Sequence, residues 1–305
     1  MIRKHNRRAA KAAFTIALGV AIIIGGAAAA PAAQSKSAAT PIIIGTKNFP
    51  EQYLLGQLYK QALEAKGYKV QYKENIASTE LIDAALRSGR VTMYPEYLGI
   101  SLSVTFKQKT LPKTAAGTYA VARRLYGKRG QTILRQTPFQ DVDVIAVLKS
   151  TAQSNGLKTL ADLKKVDDLS IAGFPEWQKR WTGPIGTQYG VKGFKFVPLA
   201  GISAYTLLDQ KKVVAADVFT TDPQLLSGKY TQLSDTKNMF GFQHVAPVVK
   251  KTLVSENGSK FTSTVNKVTS LLTVKAMAAL NKAVIVDKKS PAKVADAFLK
   301  ANGLK

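Results

Sequence analysis

Between Ile42 and Tyr97 the chain alternates strand, helix, strand, helix, strand, and that alternation limits its fold more than any other feature. The run IIIG at 42–45 is apolar on both faces, as a strand covered from both sides must be. Pro50 suits the first turn of a helix, and Leu54, Leu58 and Ala62 recur every four residues, so the spacing predicts a helix over 51–66 that stops before Gly67. YKVQYKE at 68–74 alternates polar and apolar residues and reads as a strand. STELIDAALRSG at 78–89 reads as a helix capped by Ser78 or Thr79 and closed near Gly89. SGRVTMY, ending at Tyr94, reads as a third strand. Pro95 has no N–H for a ladder and is expected to end it, leaving Tyr97 on the loop beyond. The pattern is that of an α/β layer built on a parallel sheet, where ligands bind outside the carboxyl ends of the strands.

A second unit of the same kind begins near residue 140. VDVIAVL (142–148), LSIAGF (169–174), GFKFVPL (193–199) and AADVFTTD (215–222) read as strands, with helices over 159–166 and 202–212 between them. Beyond residue 254 the pattern turns helical, and Ser290-Pro291 is a helix start of cap-then-proline type. ENGS at 256–259 reads as a turn.

The N-terminus follows a different logic. Residues 1–33 carry Arg3, Lys4, Arg7, Arg8 and Lys11, then an apolar run from Ala12 to Ala30, then the small residues of APAAQ. This is the layout of a secretory signal peptide cut near Ala32 or Ala33, an uncleaved membrane anchor being the alternative. Residues 34–41 read as a polar tether, and no second long apolar run follows. The formal net charge is +25, or +20 without the five cations of the leader. Export argues against nucleic acid as a partner, and the lysines are scattered rather than grouped, which suits loose attraction to anionic envelope surfaces. None of the 305 residues is cysteine, which removes disulfides, thiolate metal sites and the lipid-bearing cysteine of bacterial lipoproteins. His5 and His244 are the sole histidines, and no Gly-rich phosphate loop occurs, so no metal, cofactor or histidine triad is expected.

Two long segments, IGTKNFPEQYLLGQLYKQALEAKGYKV (44–70) and ASTELIDAALRSGRVTMYPEYLG (77–99), resemble the substrate-binding proteins of glycine betaine/choline/carnitine ABC transporters, the osmoprotectant importers. VFTTDPQL (218–225) and APVV (246–249) are similar to further signatures of that family, so the likeness spans nearly the whole chain after the leader. It implies a type II periplasmic-binding fold: α/β, with two lobes and two crossover strands around a ligand cleft. Lobe I would comprise 42–142 plus 247–305 and lobe II 143–246, hinged at the crossovers.

The resemblance also implies a cage of aromatic rings around a quaternary ammonium. Such a head cannot donate N–H bonds, whereas ring faces attract it at about 0.5–2 kcal/mol each. Residue by residue, Tyr97 and Phe219 match or adjoin cage positions, Lys47 with Asn48 beside it matches the place of a ligand carboxylate, and Arg180 matches the family arginine. Asp222 belongs to the Thr-Asp signature. Two expected cage tyrosines are absent: Val144 stands at one position and Gln243-His244 at the other. Ile100 replaces a threonine that bonds the ligand in the family. Either Trp177, Trp181, Phe242 or Tyr205 completes the cage from shifted positions, or His244 receives a different solute. Glu51 and Glu96 read as structural groups, and Trp177 with Trp181, four apart on one helical face, as packing.

The expectation is therefore a monomeric envelope protein, not an enzyme, that hands a small cationic or zwitterionic solute to a membrane permease. The alternatives are an enzyme on the same fold, for which Asp222 with His244 is the sole acid–base pair on offer, a binding protein for an amino-acid-like ligand, or a basic adhesive protein.

Overall fold

The computed structural model describes residues 40–199 and 201–305; the expected leader, and all but the end of the tether, lie outside them. β1 (Ile42–Gly45) is buried along its whole length, because it runs between β2 and β3 with helices on its faces. α1 (Pro50–Ala65) starts on the proline and buries Leu54, Leu55, Leu58, Tyr59 and Leu63 against the sheet. Each such side chain contributes about 1.5–3 kcal/mol of transfer free energy. Gly56 lets this helix lie close to the strands: a Cβ there would come within 2.5 Å of Thr46 Cγ2 and 2.7 Å of Tyr72 Cε2. β2 (Val70–Lys73) is an edge strand with alternating burial, and α2 (Thr79–Ser88) ends on Gly89 in the left-handed conformation, as the spacing predicts.

β3 (Met93–Tyr97) corrects the reading of Pro95. The strand does not stop there but runs on through Tyr97, with every residue buried. Its partner is β10 (Val245–Lys250), antiparallel, with Pro95 directly opposite Pro247. The Pro247 carbonyl accepts from Leu134 N–H on the far side at 2.9 Å, so the Pro95–Pro247 pair exchanges no ladder bonds. Both missing donors point away from the shared ladder. On the other flank β1 pairs with β3 at Met93 and asks nothing of Pro95. Tyr97 is thus a strand residue and not a loop residue.

The chain continues through the short α3 (Leu98–Ile100), α4 (Ala115–Gly127) and β4 (Gln131–Ile133), completing a first sheet of order β2-β1-β3-β10-β4. It then passes to β5 (Asp143–Leu148), α5 (Lys149–Ser154), β6 (Ser170–Gly173), α6 (Pro175–Tyr189), β7 (Lys195–Pro198), α7 (Ala204–Asp209), β8 (Ala215–Phe219) and β9 (Tyr230–Gln232). These strands form a second sheet of order β7-β6-β8-β5-β9, in which β5 is antiparallel to β8 and β9. Thr159 with Asp162 makes a capping box at the expected helix start, although the element is a 3-10 turn, Leu160–Lys165.

After β10 come α8 (Lys251–Leu271), α9 (Val274–Asn281) and α10 (Pro291–Ala301), which return to the first sheet: Val265, Val268, Met277, Val294 and Leu299 share a core with Leu54 and Leu58 of α1. The Asn-Gly pair read as a turn is a kink inside α8, where Gly258 takes φ 65°. The two stretches that connect the sheets run side by side, with Gln140 bridging His244 and Asp141 N–H donating to the Gln243 carbonyl at 3.2 Å. Among the described residues no single helix is long and apolar enough to cross a membrane.

Candidate functional site

A cavity of about 680 Å³ opens between the two sheets, at the carboxyl ends of their parallel strands. The first sheet supplies Lys47 and Asn48 beyond β1, Phe49 and Glu51 at the start of α1, and Tyr97 at the end of β3. From the second sheet come Asp143 of β5, Asp217 and Phe219 of β8, and Thr221 and Asp222 just beyond. Phe174, Trp177, Arg180 and Trp181 enter from the start of α6, and Asn281 from the end of α9.

Of the residues singled out in the sequence, Tyr97, Phe219, Lys47, Asn48, Arg180 and Asp222 are brought to this cavity. His244 is not. Its Nδ1 faces the carbonyls of Thr137 and Phe139, at 2.8 and 3.0 Å, and its neighbour Gln243 takes the place on the wall, accepting from Ile100 N–H at 2.9 Å. Strand alternation also turns Val144 into the second sheet's core while Asp143 faces the cavity. His244 and Asp222 therefore form no acid–base pair here: Asp222 accepts from Tyr205 O–H at 3.0 Å and from Phe219 N–H at 3.1 Å, which fixes the loop that carries Phe219.

Lys47 plays a part the sequence does not reveal. Its ammonium pairs with Glu96, which is fully buried beneath the cavity, and lies 5.0 Å from the centre of the Tyr97 ring. The protein's own cation thus already uses one approach to that ring, and its charge is committed to Glu96 instead of being free for a ligand carboxylate. Arg180 sits beside Trp181, 5.9 Å from the ring centre. Trp177 stacks on Phe196 with the planes 5° apart, so the packing expected of it is present and only part of it meets the cavity.

A hydrogen-bonded chain crosses from one sheet to the other. Tyr97 O–H donates to Glu51 at 2.8 Å, Asn281 Nδ2 donates to the other Glu51 oxygen at 2.7 Å and to the Thr221 carbonyl at 3.2 Å, and Thr221 O–H donates to Asp141 at 2.7 Å. Asp141, Asp143 and Asp217 are residues that the sequence reading does not single out, and Glu51 is one that it takes as structural. A signal existed: QDVDV at 140–144 alternates acid with valine at a strand start, which puts both acids on one face.

Burial pushes the carboxyl groups of Glu51, Asp141, Asp143, Asp217 and Asp222 above their ordinary values. Repulsion between Glu51 and Asp141, and from Asp143 onto Asp217, adds to this, while Arg180 draws Asp143 and Asp217 back. With native values raised, the folded state binds more protons than the unfolded one over the range just above the ordinary carboxylate values of 3.8 and 4.5. Stability must then fall as pH rises through the raised values. The melting temperature of the empty protein is expected to drop from mildly acidic to neutral pH, by about 2–4 °C per kcal/mol of linkage. Asp141→Asn with Asp217→Asn should flatten that slope in melts recorded across pH.

The family profile described as the substrate binding domain of ABC-type glycine betaine transport systems matches residues 40–301. The chain belongs to this family. It is 29% identical to the glycine-betaine-binding protein of Pseudomonas aeruginosa, over 86% of this chain and 88% of that one. It is 27% identical to the glycine betaine-binding protein YehZ of Escherichia coli, over 87% and 92% of the two chains. A solved structure described as a glycine betaine/carnitine/choline ABC transporter superposes with a TM-score of 0.79 over 86% of this chain and 99% of that one, at 22% identity, a likeness of fold. The two sheets are accordingly the two lobes of a type II periplasmic-binding fold. As a member of this substrate-binding family the chain serves an ABC transport system.

Proposed function

We propose that this protein captures a small quaternary-ammonium or zwitterionic solute of the glycine betaine, choline and carnitine class between its lobes, outside the cytoplasm, and presents it to a membrane permease without altering it. The observation that carries this reading is the concentration of rings around one cavity: Phe49, Tyr97, Phe174, Trp181 and Phe219 meet there from both lobes. Methylated ammonium groups have no N–H to donate, so ring faces are the surfaces that hold them in a site shielded from water. Two rings and one charge-assisted bond supply at most about 7 kcal/mol, which suits micromolar binding.

Closure would take place at the two crossovers, with lobe I as 42–142 plus 247–305 and lobe II as 143–246. Thermal shift and calorimetry against glycine betaine, choline, carnitine and a set of amino acids test the reading. A saturable rise in melting temperature with a methylated ammonium solute, and recovery of that solute unchanged, is the expected result. Turnover of the solute, or no response to any methylated ammonium, would overturn it.

A further inference from the structure

The cavity is lined by acids in a protein that is basic overall. Lys and Arg outnumber Asp and Glu 44 to 19, yet six carboxylates line the cavity (Glu51, Glu80, Asp141, Asp143, Asp217 and Asp222) against the two cations Lys47 and Arg180. Lys47 is cancelled by Glu96, which leaves Arg180 to face the group. No ion pair joins Arg180 to Asp143 or Asp217 among the described residues, although its charge is felt by both.

Glu80 is exposed at the rim and Asp141, Asp143 and Asp222 are half-buried, but Glu51 and Asp217 are buried, and of the six Asp217 is the one left incompletely bonded. Asp217 is 3% exposed and lines the cavity; its carboxyl lies within hydrogen-bonding reach of that of Asp143, and its Oδ1 accepts from no N–H or hydroxyl among the described residues. Asn281 Oδ1 on the opposite wall is also an orphaned acceptor in a residue 3% exposed. A buried acceptor without a donor is costly, and a carboxylate more so. Asp217 is held there by β8, whose antiparallel pairing with β5 sets Phe219 opposite Asp143 and leaves Asp217 one step further along the same face.

A trimethylammonium group cannot relieve these atoms, because it has nothing to donate. A solute carboxylate placed among Asp143, Asp217 and Asp222 would be repelled. The group that answers both the charge and the missing donors is a cationic nitrogen bearing hydrogens. We propose that the preferred solute is net cationic and carries, besides any methylated head held by the rings, an amine, guanidinium or imidazolium group received by Asp217 and Asp143. The assignment rests on the solute-binding reading of the same cavity and narrows its ligand class away from plain betaines.

The test is calorimetry on the purified protein at neutral pH with four solutes. Three share a trimethylammonium head and a propyl spacer and end in an amine, a hydroxyl or a carboxylate; the fourth is propane-diamine, without the methylated head. The amine is expected to bind about tenfold or more tighter than the hydroxyl, with the carboxylate weakest, as one charge-assisted bond in a buried site allows. Asp217→Asn and Asp143→Asn keep side-chain shape, and each should erase most of the preference for the amine over the hydroxyl. A carboxylate solute that binds tightest, or a preference untouched by both variants, overturns this inference and leaves the quaternary-ammonium reading standing. Binding of the diamine alone supports this inference and overturns the methylated-solute class. Binding of none of the four overturns both.

Discussion

Replacing Glu96 with alanine is expected to destabilise the protein by about 3–5 kcal/mol, the usual cost of stripping one partner from a buried ion pair. Glu96 is 0% exposed and Lys47 4%. Glu96 accepts from the Lys47 ammonium and, at 2.7 Å, from Tyr97 N–H. Alanine leaves that ammonium buried with no anion, and the cavity floor loses the group that holds Lys47 over Tyr97. At about 2–4 °C per kcal/mol for a chain of this size class, the melting temperature should fall by roughly 6–20 °C. The diagnostic comparison is the double variant Glu96→Leu with Lys47→Met, which removes both charges and keeps apolar volume. It should recover most of the loss, since a hydrophobic pair often equals a buried ion pair in stability. Thermal and urea melts of the three proteins decide it; a double variant no more stable than Glu96→Ala would mean that the position fails for want of shape rather than of charge.

The second large effect concerns capture of the solute. Tyr97→Leu combined with Phe219→Leu removes a ring from each lobe while keeping apolar bulk. Each ring face is worth about 0.5–2 kcal/mol to a methylated cation, so the pair should weaken binding by roughly five- to a thousandfold. Tyr97→Phe is the refining control. It keeps the ring but takes a donor from Glu51, whose carboxyl should then move further up. Binding of a methylated ammonium should survive that change much better than the loss of the ring. Calorimetry with the best solute of the panel measures all of these. Unchanged affinity in the double leucine variant would show that the rings of Tyr97 and Phe219 do not hold the solute.

Much of the fold could be read along the chain because its signals are local. The four-residue spacing of Leu54, Leu58 and Ala62, the glycine after α2 and the Ser290-Pro291 start act within one or two turns of backbone, and each element begins or ends where they fall. Pro95 was read as a stop because that reading holds for an isolated strand; it fails where another proline lies opposite in a non-bonded pair, and Pro247 is 152 residues away. The site was legible where a residue type alone carries the chemistry, as for the rings of Tyr97 and Phe219. His244 misled because a one-residue step along an extended crossover turns a side chain from the cavity to the wall behind it.

What the sequence determined by itself was the succession of elements and, through IGTKNF, MYPEYLG and their companions, the kind of protein that succession builds. Only the tertiary structure decided the character of the cavity. β5 and β8 are far apart in the chain, and their antiparallel register is what sets Asp143 beside Phe219 and near Asp217. The crossing of the two connections brings Asp141 and Gln243 together. Counted along the chain, basic residues far outnumber acidic ones; counted around the cavity, acidic residues outnumber basic ones, because the fold gathers side chains by distance in space and not by separation in sequence.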